Sequence, residues 1–152
     1  MKLKFKNQAF QTDAVSAIVD LFKGQSRRTD TFTIVNEQQL SIEDGTGIRN
    51  TLELTDEQLI ANMNAVQKRH SLPITDDTSC HTDSVRQYCI EMETGTGKTY
   101  VYTKTIYELH KQYGFTKFIV VVPSVAIREG VNKSFQITAE HFAGQYDNTP
   151  VR

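Results

Sequence analysis

The stretch IEMETGTGKTY at residues 90–100 decides which class of fold the sequence predicts. Its two closely spaced glycines, Gly95 and Gly97, let the backbone turn tightly enough to direct successive N–H groups at one anion. Lys98 can reach the β- and γ-phosphates of a nucleotide, and Thr99 offers a hydroxyl to Mg²⁺. These residue types in this order predict a phosphate-binding loop.

The loop departs from the usual G-x-x-x-x-G-K-[ST] pattern because Met92 stands where the first glycine is expected. A form that keeps only the later glycines favours a helicase-like motor over a small kinase. A small phosphotransferase remains an alternative, although no acceptor site is recognisable. The other alternative is an accidental glycine turn, which would place G-x-G-K-[ST] in a chain of this length roughly once in a few hundred sequences.

The sequence on both sides of the loop predicts alternating strands and helices. Residues 85–92 are typical of a strand, and residues 98–113 carry apolar side chains at roughly helical spacing. Phe118–Val122 are five consecutive apolar residues before Pro123, as in a strand buried on both faces of a parallel sheet. Ser124 can then cap a helix, with Gly130 interrupting its pattern and a second helical stretch at 135–142. This order predicts an α/β fold with a parallel sheet and flanking helices.

The chain before the loop divides into an amphipathic start and a polar middle. Lys2–Lys6 alternates as a half-buried strand does, and a helix ending near Gly24 should follow. The apolar side chains expected on one face of that helix are Phe10, Ala14, Ala17, Ile18, Leu21 and Phe22.

The polar middle, residues 25–84, predicts short elements and loops. Two short strands, at 31–35 and 51–54, flank a turn at 43–47. Thr55 and Gln58 have the spacing of a capping box, which predicts a helix over about 56–70. Residues 71–84 are rich in loop formers.

Composition excludes several classes of protein. The 152 residues suffice for one ordinary domain, and a net charge of -1 with a pI near 6.4 gives no overall basic field for nucleic acid. Cys80 and Cys89 lack the spacing of a zinc site or a disulfide framework. No apolar stretch is long enough to span a membrane, and the N-terminus lacks a signal core. We therefore expect a cytoplasmic protein with no membrane partner.

Two segments together resemble a known family. Residues 90–100, followed by VVPSVAIREGV at 121–131, are similar to the amino-terminal motor region of the Res subunit of type III restriction-modification enzymes, a branch of the superfamily-two helicases. The resemblance extends to 5–11 and 140–142. It implies that residues 1–152 are the incomplete N-terminal part of a RecA-like helicase ATP-binding domain, with about 25–84 as a family-specific insertion.

The resemblance also implies roles for individual residues, with ATP and Mg²⁺ as cofactors. Gln11 would read adenine, because its amide matches the donor and acceptor edge of the base; otherwise it is a solvated helix residue. Lys98 and Thr99 would be catalytic, with Thr99 also contacting Mg²⁺. Ser124 and Arg128 would touch the DNA backbone, unless they are only a helix cap and a surface charge. The implied nucleotide-binding residues are Gln11, Glu93, Thr94, Gly95, Thr96, Gly97, Lys98, Thr99 and Tyr100.

The function implied by the resemblance is that of an ATP-dependent site-specific endodeoxyribonuclease. The full enzyme would use ATP hydrolysis to translocate or switch on double-stranded DNA before cleavage, with a methyltransferase (Mod) subunit as partner. Such a motor needs an acidic pair on a later strand and arginines from a second domain, and neither is recognisable in this sequence. We therefore expect the segment alone to be inactive. The alternative is a truncated, inert remnant that at most binds nucleotide or DNA weakly.

Overall fold

Helices make up most of the regular structure. The computed structural model of the protein describes residues 5–6, 8–27, 50–74, 81–82 and 85–146. The helices are α1 (Ala9–Asp20), α2 (Asp56–Arg69), α3 (Lys98–Tyr113) and α4 (Val125–Gln145). Two short strands, β1 (His81–Thr82) and β2 (Val85–Arg86), pair antiparallel with His81 opposite Arg86.

The ends of three helices follow local signals in the sequence. The predicted capping box is present at the start of α2, where Gln58 N–H donates to Thr55 Oγ1 at 3.3 Å and Thr55 N–H donates to Gln58 Oε1 at 2.9 Å. Gly114 ends α3 with a φ of +74°. Ser124 Oγ caps α4 by accepting a hydrogen bond from Ile127 N–H at 3.3 Å. The helix after Ser124 is continuous through Gly130, so the predicted division into two helical stretches was wrong.

The third helix lies at the centre of the packing and contacts both α1 and α4. One cluster of buried side chains joins it to α1 and comprises Val15, Val19, Val101, Leu109, Tyr113 and Phe115. A second cluster joins it to α4 and comprises Tyr107, Phe142 and Tyr146. The predicted apolar face of α1 is therefore only partly correct, since Phe10 is 48% exposed while Val15 and Val19 form the core.

Amide side chains tie the irregular segments to the helices. Asn62 of α2 donates from Nδ2 to the carbonyl oxygens of Leu21 and Lys23, at 3.0 and 2.9 Å, and so fixes the turn after α1. Asn50 does the same after α3, donating to Lys117 O at 2.7 Å and accepting from Thr116 N–H at 2.9 Å. These contacts position segments that have no regular backbone pairing of their own.

The predicted α/β class, a partial RecA-like domain with a parallel sheet, was wrong. The described part of the chain has four helices and a single antiparallel ladder, and no parallel strands. Residues 87–93 and 114–122 are extended or irregular, and Ile119 is 91% exposed where the prediction required burial on both faces. An apolar run favours an extended backbone, but a parallel strand forms only when neighbouring strands supply its hydrogen bonds. Among the described residues, none forms a backbone ladder with either of these two segments.

Several predicted elements lie outside the described residues. They are most of the strand at 2–6, the strand at 31–35, the turn at 43–47 and much of the loop at 71–84. Residues 51–54, predicted as a strand, are described and form no ladder. The predicted insertion over about 25–84 and the domain assignment of 1–152 stay predictions.

Candidate nucleotide-binding site

A tight loop joins the extended segment before it to α3, and two glycines shape it. Gly95 has a φ of +82° and Gly97 a φ of +85°. This left-handed region strains any residue that carries a Cβ, so both positions require glycine for conformational reasons. Gly97 is restricted further, because a Cβ there would lie 2.6 Å from Gln11 Nε2.

One carbonyl oxygen accepts several hydrogen bonds within the loop. Glu93 O accepts from Thr96 N–H at 3.4 Å, from Thr96 Oγ1 at 2.6 Å and from Lys98 Nζ at 2.9 Å. Lys98 Nζ also donates to Met92 O at 3.2 Å. Two of the three N–H donors of the ammonium group are therefore engaged with backbone carbonyl oxygens at the start of the loop.

The first turn of α3 follows the loop directly. Its N-cap is Gly97, whose missing side chain makes no capping hydrogen bond. The first N–H groups of a helix have no partner within that helix, and the helix dipole adds partial positive charge there. Together with Lys98, this end of α3 presents the chemistry that an oxyanion such as a phosphate needs.

Gln11 connects α1 to the loop. Its Nε2 donates to Thr96 O at 2.9 Å, between residues 85 positions apart in the chain. The observed contact is thus with the loop backbone, and the role of Gln11 in reading adenine stays a prediction.

A cavity of about 440 Å³ opens beside the loop, a volume within the range of small-molecule sites. Its lining includes Gly97, Thr99 and Tyr100 from the loop and α3, together with Phe5 and Gln11 from the N-terminal part. The side chains that α4 contributes are Ser134, Ile137 and Thr138. A larger cleft of about 660 Å³ between α3 and α4 has mainly apolar lining and does not reach the loop, so the smaller cavity is the candidate site.

Two aromatic side chains line part of this cavity, and a third ring contacts both of them. The sequence assigned a role in the site only to Tyr100, although Phe5 and His141 lie in the segments 5–11 and 140–142 that share the resemblance. The rings of Phe5 and Tyr100 lie 6.2 Å apart and nearly parallel, at 20°. His141 of α4 contacts both, with its Nε2 3.0 Å from Tyr100 Oη and its ring centre 5.0 Å from that of Phe5. Phe5 and His141 stand 136 positions apart in the sequence, so no spacing rule could have joined them.

Burial disfavours the charged form of both polar members of this wall. It raises the pKa of Tyr100 above its ordinary value. It lowers the pKa of His141, and the positive charge of Lys104 lowers it further. The imidazole and the phenol therefore meet as neutral hydrogen-bonding groups.

The predicted DNA contacts lie at the other end of α4. Ser124 is engaged as the helix cap, and the guanidinium of Arg128 pairs with Glu129 at 3.1 Å, with both side chains more than 60% exposed. Neither residue lines the cavity beside the loop. The structure thus brings Gln11 together with the loop and leaves Ser124 and Arg128 in a separate place.

Two negative findings concern the described residues alone. Within them, no cluster of three or more His, Cys, Asp or Glu side chains has the arrangement to hold a metal ion. None of the helices there combines the length and the apolar character that crossing a membrane requires.

Comparison with known proteins assigns the family. A family model described as "Type III restriction enzyme, res subunit" matches residues 4–149. The Res subunit of the type III restriction-modification enzyme EcoPI, from Escherichia phage P1, is 31% identical over 144 residues, which are 93% of this chain and 14% of that protein.

Two other relatives match shorter parts. The EcoP15I Res subunit of Escherichia coli is 37% identical over 97 residues, covering 62% of this chain and 10% of that protein. The StyLTI Res subunit of Salmonella typhimurium is 52% identical over 62 residues, covering 40% of this chain and 6% of that protein. This chain therefore spans a small part of the length of these relatives, and it belongs to the family of type III restriction enzyme Res subunits.

Proposed function

We propose that the loop Glu93–Tyr100 and the cavity beside it bind Mg-ATP. The observation that carries the proposal is that two left-handed glycines, the ammonium of Lys98 and the uncapped start of α3 lie in one loop. Gly97 and Thr99 also line the neighbouring cavity. A loop of this kind cradles the phosphates with backbone N–H groups. In this proposal the nucleoside extends into the cavity that Gly97, Thr99 and Tyr100 line.

The threonine after the lysine suits the metal that accompanies ATP. Thr99 lies in the first turn of α3 and lines the cavity, which supports its hydroxyl as an oxygen ligand for a phosphate-bound Mg²⁺. Mg²⁺ usually takes few protein ligands and is held largely by the phosphates themselves. The absence of a preformed acidic cluster among the described residues is compatible with such a site.

For the whole protein we propose an ATP-dependent role on double-stranded DNA before endonucleolytic cleavage, together with a modification (Mod) subunit in the cytoplasm. Support comes from family membership and from the relatives' names, which describe restriction-modification enzymes. Within this proposal Ser124 and Arg128, at the exposed start of α4, contact the DNA backbone. The alternative is a chain that binds nucleotide without turning it over.

The decisive experiment is titration of Mg-ATP into the wild-type chain and Lys98→Ala by calorimetry. We expect the variant to bind about tenfold more weakly or worse, because a charge-assisted hydrogen bond to phosphate is lost. Lys68→Ala is the matched control, since Lys68 is an exposed lysine of α2. Equal ATP affinity in wild type and Lys98→Ala would refute the proposed site. Measuring ATP turnover on the same samples separates binding alone from hydrolysis.

A further inference from the structure

The side wall of the candidate nucleotide cavity is built from three separate parts of the chain. Phe5 comes from the non-helical segment before α1, Tyr100 from the first turn of α3, and His141 from near the end of α4. Phe5 and Tyr100 line the cavity, whereas His141 is not among the lining residues and contacts both rings. The histidine therefore occupies the position of a support for the wall.

The contacts of His141 fix the two rings by different means. Its Nε2 lies 3.0 Å from Tyr100 Oη, which sets the direction of the phenol. Its ring meets Phe5 at 5.0 Å between centres and an angle of 50°, a spacing typical of favourable aromatic pairs. Phe5 has no helix of its own to hold it, so its place in the cavity wall depends on such side-chain packing.

The position of His141 within α4 is itself fixed. The neighbouring Phe142 is only 1% exposed and packs against α3, with its ring centre 5.0 Å from that of Tyr107. His141 is 5.2 Å from the Phe142 ring. The charged group that faces His141 from α3 is Lys104, which disfavours a second positive charge at this place. A neutral imidazole on a firmly packed helix can hold two neighbouring rings in place.

A wall of nearly parallel rings recognises a flat aromatic ligand rather than a phosphate. Stacking on an aromatic side chain contributes to binding of any base because each base has a π-face. The proposed phosphate-binding part of the site, at Gly97 and Lys98, lies at the start of α3, and Lys98 Nζ donates to the carbonyl oxygens of Met92 and Glu93 rather than to His141. The two parts can therefore be tested separately.

We infer that His141 is a positioning residue for the base-binding part of the site, holding Phe5 and Tyr100 in place to stack against the base of a purine nucleotide. This inference rests on the proposed binding of Mg-ATP. It predicts that loss of His141 weakens recognition of the base and leaves recognition of the triphosphate unchanged.

The test compares two ligands, Mg-ATP and inorganic tripolyphosphate with Mg²⁺, on the full chain. We expect His141→Ala to weaken ATP binding by about threefold to tenfold, the range of an aromatic pair, and to leave tripolyphosphate binding unchanged. Lys98→Ala should weaken both ligands. His70→Ala is the control for the loss of a histidine, since His70 is exposed at the end of α2.

A second variant guards against misfolding of His141→Ala. Tyr100→Phe keeps the ring and removes only the hydroxyl that meets His141, so it should fold and show a smaller loss of ATP affinity, again without loss of tripolyphosphate. If Lys98→Ala affects neither ligand, the proposed function itself fails. If Lys98→Ala weakens both while the His141 and Tyr100 variants bind ATP as wild type does, or lose both ligands equally, His141 has no positioning role.

Discussion

Gly97 is restricted both by its backbone angle and by its neighbour. Its φ is +85°, and a Cβ there would lie 2.6 Å from Gln11 Nε2. Gly95 has almost the same φ, +82°, but a Cβ there would meet nothing within 4 Å. Substitution at Gly95 therefore measures the cost of backbone strain alone, whereas substitution at Gly97 adds the cost of a steric clash.

Alanine at either glycine should destabilise the chain, but for different reasons. We expect Gly95→Ala and Gly97→Ala each to lower the free energy of unfolding by about 1–2 kcal/mol through left-handed strain. Only Gly97→Ala must also displace the Gln11 amide, which costs its hydrogen bond to Thr96 O. Urea unfolding of both variants, with and without Gln11→Ala, measures the difference.

In the Gln11→Ala background, the cost of Gly97→Ala should fall to that of Gly95→Ala, while the cost of Gly95→Ala stays constant. If Gly97→Ala destabilises the chain equally with and without Gln11, the close approach of Gln11 to Gly97 does not contribute to that destabilisation.

His141 gives the stability of the chain a dependence on pH. Burial and the charge of Lys104 lower its pKa below the ordinary value of 6.5. Just below about pH 6.5 the unfolded chain therefore binds more protons at this position than the folded chain. The contribution of His141 to the free energy of unfolding is therefore fully present above that pH. It decreases as the pH falls toward the pKa of His141 in the folded state.

Replacing the imidazole should weaken this acid sensitivity. We expect the thermal midpoint of the wild type to fall between neutral pH and about pH 5, and to fall less in His141→Phe, which keeps an aromatic ring beside Phe5 and Tyr100. The two proteins differ only at position 141, so the difference between the two pH profiles reports His141 alone. Parallel profiles would show that His141 does not contribute.

At the scale of elements, the signals that were read correctly are local. The Thr55–Gln58 capping box and the Ser124 cap predicted where α2 and α4 begin, and residues 98–113 were predicted as the helix that is now α3. Caps and turns depend on residues three or four positions apart, which a sequence displays directly.

The signals that failed depend on distant partners. An apolar run such as Phe118–Val122 does not specify which strand it pairs with, and none of the described residues pairs with it. The aromatic wall of the cavity likewise joins Phe5, Tyr100 and His141, whose meeting is determined by how α3 and α4 pack. For the site, the loop residues, Tyr100 among them, and Gln11 were singled out from the sequence, but no role was assigned to Phe5 or His141.

The cap of α4 allows its structural role to be separated from contact with DNA. Ser124→Ala should lower the free energy of unfolding by about 1 kcal/mol, as Thr55→Ala should at the start of α2. Ser124→Asp should keep the stability, because aspartate caps a helix equally well and its charge suits the helix N-terminus. The same charge should repel a DNA phosphate.

Binding to a double-stranded DNA fragment at low salt, measured by fluorescence anisotropy, therefore distinguishes the two roles. Ser124→Asp should bind DNA more weakly than wild type, and Thr55→Ala should bind as wild type does. Normal DNA binding by a stable Ser124→Asp would assign Ser124 to capping alone.

At the scale of the whole molecule, apolar surface remains uncovered beside a well-packed group of helices. The buried clusters on both sides of α3 hold α1, α3 and α4 together. After α3, however, Ile119 is 91% and Val121 87% exposed. Consecutive apolar residues with a high preference for extended structure promote self-association when they are exposed to water.

We therefore expect the chain to self-associate as its concentration rises, and the double change Ile119→Lys with Val121→Lys to prevent this. Lysine at these positions places charge on side chains that already contact water, so the free energy of unfolding should stay within about 0.5 kcal/mol of the wild-type value. Sedimentation velocity over a range of concentrations measures the association.

Leu72→Lys is the control, because Leu72 is also exposed, at 56%, but lies in the loop after α2. If both the double variant and Leu72→Lys associate as wild type does, residues 118–122 are not the surface responsible. If only Leu72→Lys stays monomeric, the responsible surface is that of the loop.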